Sequence, residues 1–283
     1  MKKLLLKIVT LITTLLLTIT LASCGNTSGT STEGKLIVGF SPDYAPYEFV
    51  DLTKTGDDKY VGADIDLAKF IAKELGLELV LEPSGFDQCL INLQSGKIDL
   101  AISGFTYKED RAKNFEMSSV YFEEGEGDQV IVTTKGNLAK YPSLDSFNES
   151  GVIVGAQAGS VQYDLAFGQL SNATVEKHVN ISDMITYLEA GKLHGVALSQ
   201  TAALALLSTN TNIVIADGKF EIEDSGLYVL AKKGNTELMN QVNSAIEKVQ
   251  KDNLYQTWMD NASILFENLG DNAGQPDLST EED

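Results

Sequence analysis

Arg111 and Thr106 stand five residues apart on a polar turn that follows Ser103-Gly104. A guanidinium grips a carboxylate with two parallel hydrogen bonds. A hydroxyl adds a third, and a glycine lets a ligand approach main-chain N–H groups closely. Residues 99–111, DLAISGFTYKEDR, therefore read as a buried strand, Leu100-Ala101-Ile102, that ends in a carboxylate grip. In a dry site each charge-assisted bond contributes about 1.5–3 kcal/mol. The same residues also read as a strand end and surface turn, with Arg111 in an ordinary salt bridge. The rest of the chain weighs between the two.

The elements that must position this turn are legible in order. Residues 35–40 (KLIVGF) form a β run, followed by a loop, 41–46, pinned by two prolines and carrying Tyr44. Residues 64–75 place Ile65, Leu67, Ala68, Ile71, Ala72 and Leu75 at helical spacing. Asp64 and Asp66 suit the positive end of that helix, and Gly76 caps it. A strand over 77–81, a helix over 86–94 closed by Gly96 and a strand over 98–103 follow. This β-α-β-α-β order implies a parallel sheet covered by helices. Ligands bind beyond the carboxyl ends of such strands, where Ser41, Phe86 and Ser103-Gly104 fall.

A second unit repeats the plan. It has a strand over 152–156, a helix opening at Gly159-Ser160, a strand at Val175, a helix over 182–190 and a strand over 195–199. The segments QSGKID (94–99) and EAGKLH (189–194) echo one another, which suggests two similar α/β lobes. Strands at 130–134 and 228–231 read as crossings between them. Residues 35–133 plus 228–269 then make lobe 1, and residues 134–227 make lobe 2. Helices are expected over 235–251 and 255–261. Two crossings form a hinge whose closure buries a small ligand.

The ends read as an address and a tail. Lys2, Lys3 and Lys7 precede an apolar segment over 8–21, and Leu21-Ala22-Ser23-Cys24 closes it. This is the layout of a secretory signal, residues 1–23; a single membrane-spanning helix is the alternative reading. The cysteine after small residues matches a bacterial lipobox, which makes Cys24 the lipidated first mature residue. Residues 24–34 form a polar tether, and the acidic residues 270–283 are expected to be disordered. With Cys24 acylated, Cys89 has no disulfide partner. The chain carries a formal net charge of −19, and its first 23 residues hold three lysines and no acid. So acidic a body argues against nucleic acid or an anionic membrane surface as partner.

Taken together, DYAPYEF (43–49), GADIDLAKFIAKEL (62–75), SGFTYKEDRAKNF (103–115) and VGAQAGS (154–160) resemble the bacterial extracellular solute-binding proteins of the polar amino-acid uptake family. These are the capture subunits of ABC importers. The resemblance spans about residues 35–261 and implies a type II periplasmic-binding-protein-like fold: α/β, two lobes and a hinge. It implies that Ser103, Gly104, Thr106 and Arg111 hold a ligand carboxylate from the first lobe. Gly159, Ser160 and Val161 complete the grip at a helix start, where free N–H groups favour an anion. Val161 offers only its backbone there. Tyr44 and Phe86 look like aromatic walls, and Gln157 meets the variable end of the ligand. The family commonly binds the α-ammonium with an Asp at the position of Ser199, and often has another at Ser41. With serines at both, Asp43, Asp87, Glu123, Glu124 or Glu126 are the candidate substitutes.

The expectation is a non-enzymatic lipoprotein on the extracytoplasmic face of the cell membrane, anchored at Cys24. It would capture a polar amino acid and present it to an ABC importer permease, with no cofactor, metal or nucleic acid. The alternatives are a receptor for a carboxylate that is not an amino acid, a sensory module using the same cleft, and a dehydratase-like enzyme. The last needs a poised acid or base, and no His or carboxylate pair stands at a strand end. His178 and His194 read as ordinary strand or surface residues.

Overall fold

Three helices of the chain show why the sequence folds as two layers around a sheet. In α1 (Ala63–Leu75) the positions Ile65, Leu67, Ala68, Ile71 and Ala72 are all buried, and Gly76 closes the helix in the left-handed conformation. In α2 (Phe86–Ser95) Phe86, Cys89 and Leu93 face inward and Gly96 caps in the same way. The later helix at 181–189 buries Ile181, Met184, Ile185 and Leu188. Each presents one apolar stripe, which needs a sheet to cover it. The computed structural model describes residues 29–123, 128–222 and 224–274. The expected signal segment and Cys24 lie outside them. Among the described residues no helix is long and apolar enough to cross a membrane.

The first lobe contains β1 (Lys35–Phe40), β2 (Phe49–Asp51), β3 (Tyr60–Val61), α1, β4 (Glu78–Pro83), α2, β5 (Leu100–Ala101), α3 (Glu109–Asn114) and β6 (Phe115–Met117). The chain leaves it through β7 (Phe122–Glu123). The second lobe contains β8 (Gln129–Thr134), β9 (Ile153–Gln157), α4 (Val161–Gln169), β10 (Thr174–His178), α5 (Ile181–Glu189), β11 (Gly195–Ser199), α6 (Gln200–Thr209) and β12 (Ile213–Ile215). The chain returns through β13 (Gly226–Leu227) to β14 (Leu230–Lys232), α7 (Thr236–Lys251), α8 (Leu254–Leu269) and β15 (Ala273–Gly274).

The two principal sheets share one plan. The first runs β4-β1-β5-β14-β6 and the second β10-β9-β11-β8-β12. In each, three parallel strands are followed by an antiparallel one: β14 against β5, and β8 against β11. The echoed segments 94–99 and 189–194 lead into β5 and β11, which hold the same place in their sheets.

Three expectations need correction. The crossing between lobes is not at 130–134. Those residues pair with β11 and β12 inside the second sheet, so that sheet begins at Gln129 rather than after residue 133. Likewise Leu230–Lys232 lies within the first sheet. The link is instead the two-stranded ribbon β7–β13, with Glu123 opposite Gly226 and Phe122 opposite Leu227. Val130, Ile131 and Val132 are all buried, and so continuous an apolar run belongs in a sheet interior, not in a solvated connection. The tail from residue 270 is not wholly loose: Ala273 and Gly274 pair with Asp51 and Val50 of β2. The last part of the expected tether is held too. The Gly29 carbonyl accepts from Asn235 Nδ2 at 2.6 Å, and Ser31 N–H donates to Asp99.

Candidate functional site

The carboxyl ends of β1 and β5 in one lobe face those of β9 and β11 in the other. Tyr44, Phe86, Gly104, Thr106, Gln157, Ser160 and Val161, all expected at the site, line one small cavity between them. Its volume is about 20 Å³, with Ile181, Ala197 and Leu198 among the further walls. The lobes are closed on one another. Tyr44 Oη donates to Ser199 Oγ across the cleft at 2.7 Å, and Lys108 pairs with Asp164 at 2.6 Å.

Arg111 is placed by the short helix α3 and is 4% exposed. Its Nη1 donates to the Thr106 carbonyl in its own lobe, and its Nη2 to the Gly159 carbonyl of the other at 3.1 Å. The guanidinium carbon lies 5.0 Å from the centre of the Phe105 ring and 5.9 Å from that of Phe86. Phe86 and Phe105 stack at 4.5 Å, so the cation rests on an aromatic platform. Burial lowers the Arg111 pKa to about 10, partly offset by the Asp164 carboxylate, so the side chain keeps its charge at neutral pH. Among the described residues no carboxylate is paired with it; Asp164 is taken by Lys108. A buried cation satisfied only by carbonyls and rings is short of an anion.

The turn that precedes Arg111 is wired differently from the expectation. The Gly104 N–H does not face a ligand; it donates to Asp64 Oδ2 at 2.7 Å. With φ of 57°, Gly104 adopts the left-handed conformation that turns this amide inward, and a Cβ there would meet the Tyr44 ring at 3.1 Å. Ser103 is fully buried behind the cavity, accepting from Ser41 N–H and donating to Glu48 Oε1. Thr106 alone of this group brings a hydroxyl-bearing side chain to the cavity wall.

On the other lobe, Ser160 N-caps α4 by accepting from Tyr163 N–H at 3.1 Å, and it donates to the Gln157 carbonyl at 2.7 Å. Ser199 similarly caps α6 through Ala202 N–H. Gly159 presents its carbonyl, not its N–H, to Arg111 and Lys108. Its φ of 78° strains any side chain there, and a Cβ would stand a tight 3.3 Å from Asp87. Of the acids considered as substitutes, Asp43 is at the lobe interface and Asp87 is beside Gly159. Glu123 is on the ribbon, and Glu124 and Glu126 lie outside the described residues. His194 Nδ1 accepts from Ile153 N–H at the start of β9.

Sequence reasoning missed an acid pair beneath the turn. Asp64, completely buried, accepts from Tyr255 Oη at 2.6 Å, from Gly104 N–H, and from Tyr121 Oη at 3.0 Å. Glu48 is buried beside it. Desolvation, then the Asp64 charge, raises the Glu48 pKa well above the ordinary range. Desolvation raises that of Asp64 as well, against the lowering effect of its three donors. A signal existed: Asp64 shares the buried stripe of α1 with Ala68 and Ile71, where a solvated carboxylate has no place.

Comparison with known proteins follows the same outline. The family model for bacterial extracellular solute-binding proteins, family 3, matches residues 36–261. The L-cystine-binding protein TcyJ of Escherichia coli (strain K12) is 30% identical over 225 residues, covering 79% of this chain and 80% of TcyJ. The arginine-binding extracellular protein ArtP of Bacillus subtilis (strain 168) is 30% identical over 243 residues, covering 83% and 89%. Among solved structures, the amino acid ABC transporter substrate-binding protein AbpA from Streptococcus pneumoniae Canada MDR_19A, bound to L-arginine, superposes with a TM-score of 0.75 at 35% identity. That match covers 82% of this chain and 96% of AbpA.

Proposed function

This chain belongs to the bacterial extracellular solute-binding proteins, family 3, and from that premise we propose that it captures a small amino acid between its lobes for delivery to an ABC importer. The observation that carries the reading is Arg111, a buried guanidinium on an aromatic platform, bonded across the closed cleft to the Gly159 carbonyl. A ligand carboxylate supplies the anion that this cation lacks, and replaces a neutral carbonyl with a charged acceptor. Thr106 contributes its hydroxyl, and Tyr44 and Phe86 wall the ligand. The α4 start at Val161 holds its far side through main-chain groups. Ligand pockets run to about 300–1,000 Å³, so entry requires the lobes to part about the β7–β13 ribbon and to re-close on the amino acid.

The direct test is titration calorimetry on the chain from residue 25 onward, unfolded and refolded to free it of carried ligand. The panel holds L-arginine, L-cystine and L-glutamine, each beside its analogue lacking the α-amino group. Tight binding of an amino acid with a silent deaminated twin supports the reading. Preference for a deaminated acid assigns the cleft to another carboxylate class.

The same reading places the protein outside the cytoplasm, tethered through a lipid on Cys24 within Leu21-Ala22-Ser23-Cys24. Cys24→Ser is expected to move the protein from the membrane fraction to the soluble fraction in a detergent-partition assay. Retention in the membrane fraction would remove the lipid anchor from the account.

A further inference from the structure

A second cavity, of about 320 Å³, shares Tyr44 and Ile181 as walls with the small one. Its lining is largely apolar, with Ala45, Phe49 and Phe266 from the first lobe and Leu206 from the second. Asp43 is the one carboxylate among its lining residues, and it does not line the small cavity.

Asp43 is bonded only to neutral groups, drawn from both lobes. Its Oδ1 accepts from Ser41 Oγ at 2.7 Å. Its Oδ2 accepts from Gln157 Nε2 at 3.0 Å and from the Ile181 N–H, at the start of α5, at 3.0 Å. Among the described residues no lysine, arginine or histidine is paired with it. Three hydrogen bonds orient the carboxylate but do not neutralise its charge. Burial lifts its pKa from the ordinary 3.8 to about 6 in spite of those bonds. The result is a fixed acid at the edge of an apolar space, short of a cation, as Arg111 is short of an anion.

We infer that Asp43 is a specificity-determining residue that receives a cationic group at the ligand end remote from the α-carbon, so that the cleft selects amino acids with a basic side chain. The inference rests on the amino-acid reading of the same cleft. The second cavity takes the apolar shaft of such a side chain as the lobes re-close, and Asp43 takes its charged tip. Ser41 and Gln157 hold the carboxylate and act as positioning residues.

The test is calorimetry with two matched pairs, L-arginine against L-citrulline and L-lysine against L-norleucine, on the wild type and on Asp43→Asn. Each pair keeps the shaft and removes the cation. An unpaired, half-buried charge predicts that the wild type prefers the cationic member of at least one pair by about thirtyfold or more. In Asp43→Asn that ratio is expected to fall to within about threefold. A preference that survives in the variant overturns the inference, as does a wild type that binds both members of each pair alike. Should the variant fail to fold, the wild-type ratios decide, and ratios below about threefold in both pairs overturn it. Binding of L-glutamine without any cationic preference would sink the Asp43 assignment and leave amino-acid capture standing. If no amino acid binds the wild type, both fall together.

Discussion

Arg111→Ala is expected to lower the affinity for whichever amino acid the wild type binds by roughly 10²- to 10⁴-fold, through loss of two charge-assisted bonds of about 1.5–3 kcal/mol each. The size follows from where the side chain sits. It is 4% exposed, stacked on Phe105 and Phe86, and bonded across the cleft. In so dry a place a carboxylate has no water to turn to once the guanidinium is gone. Arg111→Lys is expected to recover little, because an ammonium cannot serve Thr106 and a carboxylate with the same planar fork. The fold is expected to survive, since α3 carries Arg111 at the edge of the first sheet and not in the cluster around α1 and α7. Calorimetry with a circular-dichroism melt as control checks this. Undiminished affinity in a folded Arg111→Ala protein would take Arg111 out of the site.

Asp64→Ala is expected to destabilise the first lobe by about 3–5 kcal/mol, because it strands buried donors with nothing else to bond. Tyr255 Oη, Tyr121 Oη and Gly104 N–H all converge on this carboxylate. Its removal therefore loosens α8, the segment leading into β7, and the Ser103-Gly104 turn at once. Asp64→Asn keeps one acceptor oxygen and is expected to fall between the two. Urea unfolding checks the order: a lower midpoint at unchanged slope marks lost stability. A loss below about 1 kcal/mol in Asp64→Ala would show that the donors find other partners.

Much of this frame was legible because it is local. The helix at 63–75 announces itself through the spacing of its apolar residues and the glycine after it, and the types of residue at strand ends point to the candidate site. What escaped depends on partners far apart in sequence. Gly104 and Asp64 are 40 residues apart, and nothing near Gly104 says that its N–H is already used. The run at 130–134 reads as a strand either way; only its pairing with Val196–Ser199 says which lobe owns it. The same holds at the C-terminus, where Ala273-Gly274 looks like linker composition and becomes a strand only because β2 offers an edge. Ser160 stands in the expected grip and Ser199 where the family commonly has an Asp, yet both hydroxyls cap helices of the second lobe. Short polar side chains before a helix satisfy its first N–H groups, and that local demand competes with any role toward a ligand.

The seclusion of Cys89 on α2 has a practical use. It is completely buried, its Sγ lies 3.2 Å from Ser84 Oγ, and burial pushes its pKa up to about 12. Thiolate, not thiol, reacts with maleimides, so a chain begun after Cys24 offers them no background. Lys113→Cys on α3 and Phe167→Cys on α4 would then place one dye on each side of the mouth that Lys108 and Asp164 bridge. Energy transfer between the dyes would follow the opening and closing of single molecules, with the native sequence otherwise intact.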